Sequence, residues 1–415
     1  MREPWPAWAS TGATPRAVAG LLRDTAAQRL GIEPAAVPDP QPRWADSGDP
    51  GIDCVSALPQ RLAAKYGSFG TRGEQPQQLA RVLADGLNAV PGIAEARVVR
   101  GSLLALRMSA PVRGSLVYGV AEGWNFLAEW PPPAEPGAAS AVSTPRAGRD
   151  GPPVDDHGWP CSPLYEADDL ATATRWARAD TRERIAHFRA TAPKTPPGQR
   201  RVDTWRDPCR DASPHSQSSV ELGVRGEVPR LLATVGEANA RFALCRGSSD
   251  RPQPATQTGP GLPAVPTAEH PGVWSRHTFA NPAFSVRYAH AHAWTTVHRW
   301  ARDAGHAPLT IDQWQASPAV AELGSVQVAP LLGCLFDGPG TLATAHRRAR
   351  PHTLVRYLER LCANYHEWRD PCPVIPATDD TDSLAIAARL TVCAAVAGVL
   401  ATGVFLLGVS APTRL

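Results

Sequence analysis

The chain has 415 residues, 43% of them hydrophobic and 20% charged, which is enough for two or three domains with real cores and excludes disorder throughout. Its 42 Lys and Arg oppose 39 Asp and Glu for a net charge of +3, which argues against binding driven by bulk phosphate neutralisation. Any nucleic-acid contact then depends on local patches and shape.

Lysine occurs only at Lys65 and Lys194, a bias of the kind a GC-rich genome produces. The eight cysteines (54, 161, 209, 245, 334, 362, 372, 393) form no CxxC and no zinc spacing, so reduced thiols and no metal or other cofactor are expected. The start, Met1-Arg2-Glu3-Pro4-Trp5-Pro6, has no apolar signal-peptide core, and a cytoplasmic location is expected.

Thr14 before Pro15 reads as a helix cap, followed by Val18, Leu21, Leu22 and Leu30 at helical spacing. A second helix is predicted over Pro76–Asn88, with Leu79, Val82, Leu83, Leu87 and Val90 to one side, and strands at Val98-Val99 and Leu103–Met108. Positions 130–153, 193–219 and 247–271 are rich in Pro, Ala, Gly and Ser and read as mobile linkers. Between them, Ala167–Ala190 predicts a helix with Leu170, Trp176 and Ile185 available for packing, and Val220–Arg246 a connecting segment.

Asn281 can cap a helix whose first position is Pro282, running to about Gly305 with Phe284, Tyr288, Ala291, Trp294 and Ala301 as its apolar stripe and Arg299 and Arg302 outward. His352–Trp368 repeats the pattern through Leu354, Tyr357, Leu358, Leu361, Tyr365 and Trp368. A last helix is predicted over Leu384–Val409, after the acids Asp379, Asp380 and Asp382. Within it Leu390–Val409 carries no charge and meets the length criterion for a membrane span. The histidines at 290, 292, 298 and 306 lack an acidic or cysteine ligand at suitable spacing and read as structural.

Asn281-Pro282-x-Phe284-x-Val286-x-Tyr288-Ala289-His290-Ala291, Arg350-Pro351-His352, Tyr357-Leu358, His366-x-Trp368, Cys372-x-Val374 and the run to Ser410-Ala411-Pro412 closely resemble the DALR anticodon-binding domain of arginyl-tRNA synthetases. That resemblance makes Leu384–Val409 a bundle helix rather than a membrane anchor. Gly48-Asp49, Leu62–Gly67 and Val90–Ile93 are similar to the N-terminal additional domain of the same family, although its aromatic Gly-Phe-x-Asn-Phe ending is replaced by Gly101–Leu106. The chain is therefore read as multidomain: 1–15 a flexible N-terminus, 16–110 a small α+β N-terminal domain, 111–219 a degenerate middle region with linkers, 220–271 a connector with a mobile loop, and 272–415 an all-α C-terminal helical bundle.

The family's catalytic signatures are missing from the sequence. The His-Gly pair His157-Gly158 sits in a Pro-rich stretch, and Ser218–Gly223, where a KMSK-like loop belongs, has no lysine. The resemblance thus implies a non-catalytic arginyl-tRNA synthetase paralogue that binds a tRNA, with tRNA-Arg the candidate that the family suggests. An arginine–tRNA ligase, one subunit of a split ligase partnered by a separate synthetase subunit, and a protein-interaction module stay open as alternatives. Expected tRNA contacts are Asn281, Arg287, Tyr288, Arg347, Arg348, Arg350, Tyr357 and Leu415: the tyrosines by stacking on unpaired bases, with interhelical packing as the alternative, and the arginines by holding phosphate.

Overall fold

The computed structural model describes residues 5–45, 51–66, 75–121, 125–128, 158–191, 225–249, 256–310, 313–314, 323, 328–374 and 383–414. The chain is multidomain, with a small α+β region near its N-terminus and a mostly helical C-terminal region. Two compact units emerge, one made of Met1–Pro131, Trp300–Gly340 and Glu367–Ala395, the other of Pro132–Arg299, Thr341–His366 and Val396–Leu415.

The first unit is built on a four-stranded antiparallel sheet. Its strands β1 (Arg43–Trp44), β2 (Cys54–Ser56), β3 (Ile93–Val99) and β4 (Leu103–Met108) lie in the order β1-β2-β4-β3. Helix α1 (Pro15–Leu30) begins where Thr14 accepts a bond from the Ala17 amide at 3.3 Å and stops at Gly31, whose φ of +65° is left-handed. Helices α2 (Leu58–Tyr66) and α3 (Gln75–Asn88) complete the layer. Ala80, Leu83, Ala84 and Leu87 form the buried face of α3, a face centred one residue from the predicted one, with Leu79 and Val82 at its half-buried edge. The Asn88 side chain then ties the end of α3 to β3 by exchanging bonds with Ala96 at 2.7 and 3.0 Å. Two short helices, α4 (Ala110–Gly114) and α5 (Leu116–Ala121), follow the sheet.

In this unit Trp44 meets the later part of the chain. Its amide donates to Asp337 Oδ1 at 3.0 Å, its ring lies 5.5 Å from that of Phe336, and a Cβ on Gly333 would fall 2.3 Å from the indole. Phe336 and Gly333 belong to helix α10 (Ala329–Arg347), which holds Pro339 in its interior.

The second unit is assembled from α6 (Leu170–Thr191), α7 (Glu227–Val235), α8 (Glu237–Arg246), a hairpin of β5 (Gln257–Gly259) and β6 (Leu262–Pro263), α9 (Pro282–Thr295) and parts of α10, α11 (Pro351–Arg369) and α12 (Ser383–Leu406). Among the described residues its interior holds Arg178, Arg184, Arg241 and Arg246. Arg241 lies 3.0 Å from Asp180 and 2.9 Å from Glu237, and Asp180 also accepts from the Ser162 amide and hydroxyl at 2.7 and 2.8 Å. Arg184 donates to Pro160 O at 2.6 Å and Phe405 O at 3.1 Å, while Arg178 donates to Gly247 O. The Trp159 ring packs edge-on against Phe405 at 4.9 Å. Buried guanidinium groups are tolerated there because carbonyls and carboxylates replace the lost water.

Two expectations need correction here. Residues 256–271, assigned by composition to a mobile linker, carry the β5–β6 hairpin. Trp274 Nε1 donates to Pro263 O at 3.0 Å and the Val273 amide to Gly261 O at 2.8 Å, so tertiary bonds order a Pro- and Gly-rich stretch. The apolar stripe proposed for the Asn281 helix is also rotated. Ala291 and Ala301 of that stripe are buried as expected, but they share the interior with Ala283, Val286, Ala289, His290, Ala293 and Val297, while Phe284, Tyr288 and Trp294 are half-buried. The linker expectations at 130–153 and 193–219, the Gly48-Asp49 turn and the acids 379–382 lie outside the described residues.

Candidate nucleic-acid interface

Helix α9 is fixed at its start by Asn281. Its Oδ1 accepts from the Ala283 amide at 3.1 Å and the Phe284 amide at 3.4 Å, and its Nδ2 donates to Trp274 O and Arg276 O, both at 3.0 Å. With 0% exposure, Asn281 acts as a cap and presents no atom to a ligand. The helix passes into a π-turn at Thr296–Trp300 and ends before Gly305, whose φ is +74°.

At its far end α12 stops at Gly408, φ +69°, with the Val409 amide bonded back to Val404 O at 3.0 Å. The following residues return along α9. His290 Nδ1 donates to Pro412 O at 3.1 Å, Thr295 Oγ1 to Thr413 O at 3.0 Å, and Arg287 Nη2 reaches Ser410 Oγ at 3.4 Å. Burial holds the His290 imidazolium down, to a pKa of about 4. Leu358 of α11 lies against α12 where a Cβ on Gly403 would fall 2.3 Å from the leucine, so glycine permits that approach.

Around Tyr288 the structure gathers a cluster of rings. Phe279 stands just before the cap and is 58% exposed. It lies edge-on to Tyr288 at 5.1 Å and to His366 at 5.3 Å, and 6.2 Å from Phe284. Tyr288 stacks on Phe284 at 5.9 Å and on His366 at 6.1 Å, and His277 stacks on Phe284 at 5.6 Å with only 7° between planes. His292 Nδ1 is 2.9 Å from the hydroxyl of Tyr365, which closes the cluster from α11. Aromatic faces and edges held at a surface can accept a stacked base of any identity.

The sequence-selected residues fall in different places. Tyr288 sits half-buried at the ring cluster and Arg287, also half-buried, reaches Ser410, while Arg347, Arg348 and Arg350 lie exposed in the turn between α10 and α11. Tyr357 is only 3% exposed, so of its two readings the structure favours packing; stacking on a base is closed to it in this conformation. Leu415 lies outside the described residues. Phe279 and His277 were missed. Their signal was the pair of aromatic residues just ahead of the Asn-Pro cap, where a solvent-facing ring has nowhere to pack within its own helix.

Residues 310–415 match the DALR anticodon binding domain. The match takes in α10, α11 and α12, and α9 precedes it, so the ring cluster joins matched residues Tyr365 and His366 to upstream ones. Among solved structures the chain is similar to the arginyl-tRNA synthetase of Thermus thermophilus, with a TM-score of 0.46 and 15% identity over 97% of this chain and 100% of that one. It is also similar to a protein from Campylobacter jejuni assigned as an arginyl-tRNA synthetase, with a TM-score of 0.33 and 17% identity over 45% of this chain. That second match spans 35% of the Campylobacter protein.

The last helix, α12, is long and apolar enough to cross a membrane by length and composition. Yet 72% of its most apolar window is buried within the protein, as in a core helix.

Proposed function

We propose that this chain is a non-catalytic relative of arginyl-tRNA synthetases that binds a tRNA through its anticodon loop. The observation that carries the reading is the ring cluster of Phe279, Phe284, Tyr288 and His366, built partly from the segment that matches the anticodon binding domain. Its rings offer sequence-tolerant stacking to unpaired bases, the usual way a single-stranded RNA loop is held. The near-neutral charge means that stacking and shape carry much of the affinity. In keeping with the missing lysine at 218–223, ATP has no phosphate-binding lysine where the family places one.

Two assays test this reading together. Equilibrium binding of bulk tRNA at low salt is expected, with no arginine- and tRNA-dependent ATP–pyrophosphate exchange above blank. Exchange activity would return the chain to the ligases, and folded protein with no tRNA affinity would favour a protein-interaction module.

A further inference from the structure

The turn between α10 and α11 gathers positive charge. Arg347, Arg348 and Arg350 are exposed, and among the described residues no carboxylate lies within ion-pair distance of them. Ala349 between them has φ +50°, a left-handed conformation that residues with a side chain rarely adopt. The turn is held in that shape from two sides. Within it the Arg350 amide bonds to Ala345 O at 2.9 Å and the Ala349 amide to His346 O at 3.0 Å, and from α6 the Arg182 Nε donates to Ala349 O at 3.0 Å.

The two histidines flanking the turn are held toward the neutral form and add no charge of their own. Burial, and next the charge of Arg189, hold His346 below the ordinary imidazole range. Burial, and then Arg178, Arg350 and Arg356, do the same to His352. Of the carboxylates on these helices, Glu359 is engaged by Arg246 at 2.5 Å and Arg356 at 3.0 Å. Glu183 is exposed on α6 beside Arg182.

We infer that the α10–α11 turn, braced by Arg182 of α6, is a phosphate-binding surface for the RNA backbone, distinct from the ring cluster. This rests on the tRNA reading above. Arg350 and His366 lie at opposite ends of α11, and 16 residues of helix separate them by roughly 24 Å. A free phosphate occupies one end alone, whereas an RNA stem-loop can lay its bases on the rings and its backbone on the arginines. The middle segment therefore has a role in the site: α6 sets the turn that presents the charges.

The test compares wild type with the triple variant Arg347→Gln, Arg348→Gln, Arg350→Gln, binding tRNA over a range of salt. Because the three side chains are exposed, unfolding by urea should be unchanged and serves as the control. Each phosphate contact contributes about 0.7–0.9 to the slope of log K against log salt. The variant should lose roughly two to three from that slope and bind at least about tenfold more weakly at low salt. A variant with the wild-type slope and affinity would overturn this inference and leave the tRNA reading standing. A wild type that binds no tRNA overturns both, and the two outcomes are told apart by the wild type itself.

Discussion

Replacing Phe279 with Ala separates the functional surface from the core. The ring is 58% exposed, so its truncation removes little buried area and should change stability by no more than about 0.5 kcal/mol, as for other surface substitutions. On the RNA it should remove one stacking platform. Stacking on an aromatic side chain is worth about 1–3 kcal/mol per base, which corresponds to roughly a 5- to 150-fold rise in Kd. Tyr357→Ala provides the contrast. That ring is only 3% exposed, and emptying its site should cost about 3–5 kcal/mol of stability. Fluorescence anisotropy with labelled tRNA, alongside urea unfolding of each variant, measures both effects. A folded Phe279→Ala protein with wild-type affinity would refute the assignment of the cluster to base stacking.

Three further outcomes follow from the interior. Arg241→Met leaves Asp180 buried without its guanidinium and should destabilise the chain by about 3–5 kcal/mol in urea, with part recovered on adding Asp180→Asn; equal stability of the single and double variants would sink the network. Leu400, 0% exposed on α12, should tolerate no charge, and Leu400→Asp should lose several kcal/mol or fail to fold; normal stability would mean that α12 is not a core helix. His290 has its folded pKa lowered to about 4, so the unfolded chain binds the extra proton first. Its stability contribution is complete above the unfolded value of about 6.5 and is lost as pH falls toward 4, by roughly 2 kcal/mol near pH 5. Urea midpoints between pH 7 and pH 5 should show this slope, and His290→Gln should flatten it.

Local signals carried much of the fold. Thr14-Pro15 and Asn281-Pro282 marked helix starts because a side-chain acceptor and a fixed φ act within one turn. Helix α3 and strand β4 were also legible locally, although the buried face of α3 is shifted by one residue and β3 begins at Ile93, five residues before the predicted Val98-Val99. Where distant contacts decide, the sequence was silent. Strands β1 and β2 are two and three residues long and exist through their pairing with β4 and with each other. Helix α10 contains Gly333, Gly338, Pro339 and Gly340, which argue against a helix by propensity. Buried Leu331, Leu332, Leu335, Leu342 and Ala345 override that propensity by packing. At the candidate site, Tyr288 was selected from its motif and Arg347, Arg348 and Arg350 from their local charge; the structure leaves Tyr288 half-buried and the arginines exposed. The exposure of Phe279 and the burial of Tyr357 were not legible, because helical spacing alone does not say which side of a helix its neighbours cover.

The central claim is that an RNA loop lies on the ring cluster. A tRNA carrying a photoreactive base in its anticodon loop, irradiated with the full chain and mapped by peptide mass spectrometry, tests it at residue resolution. Cross-links should fall on the peptide spanning Phe279–Tyr288 and on that containing His366. Cross-links confined to the Met1–Pro131 segment, or none at saturating protein, would contradict it.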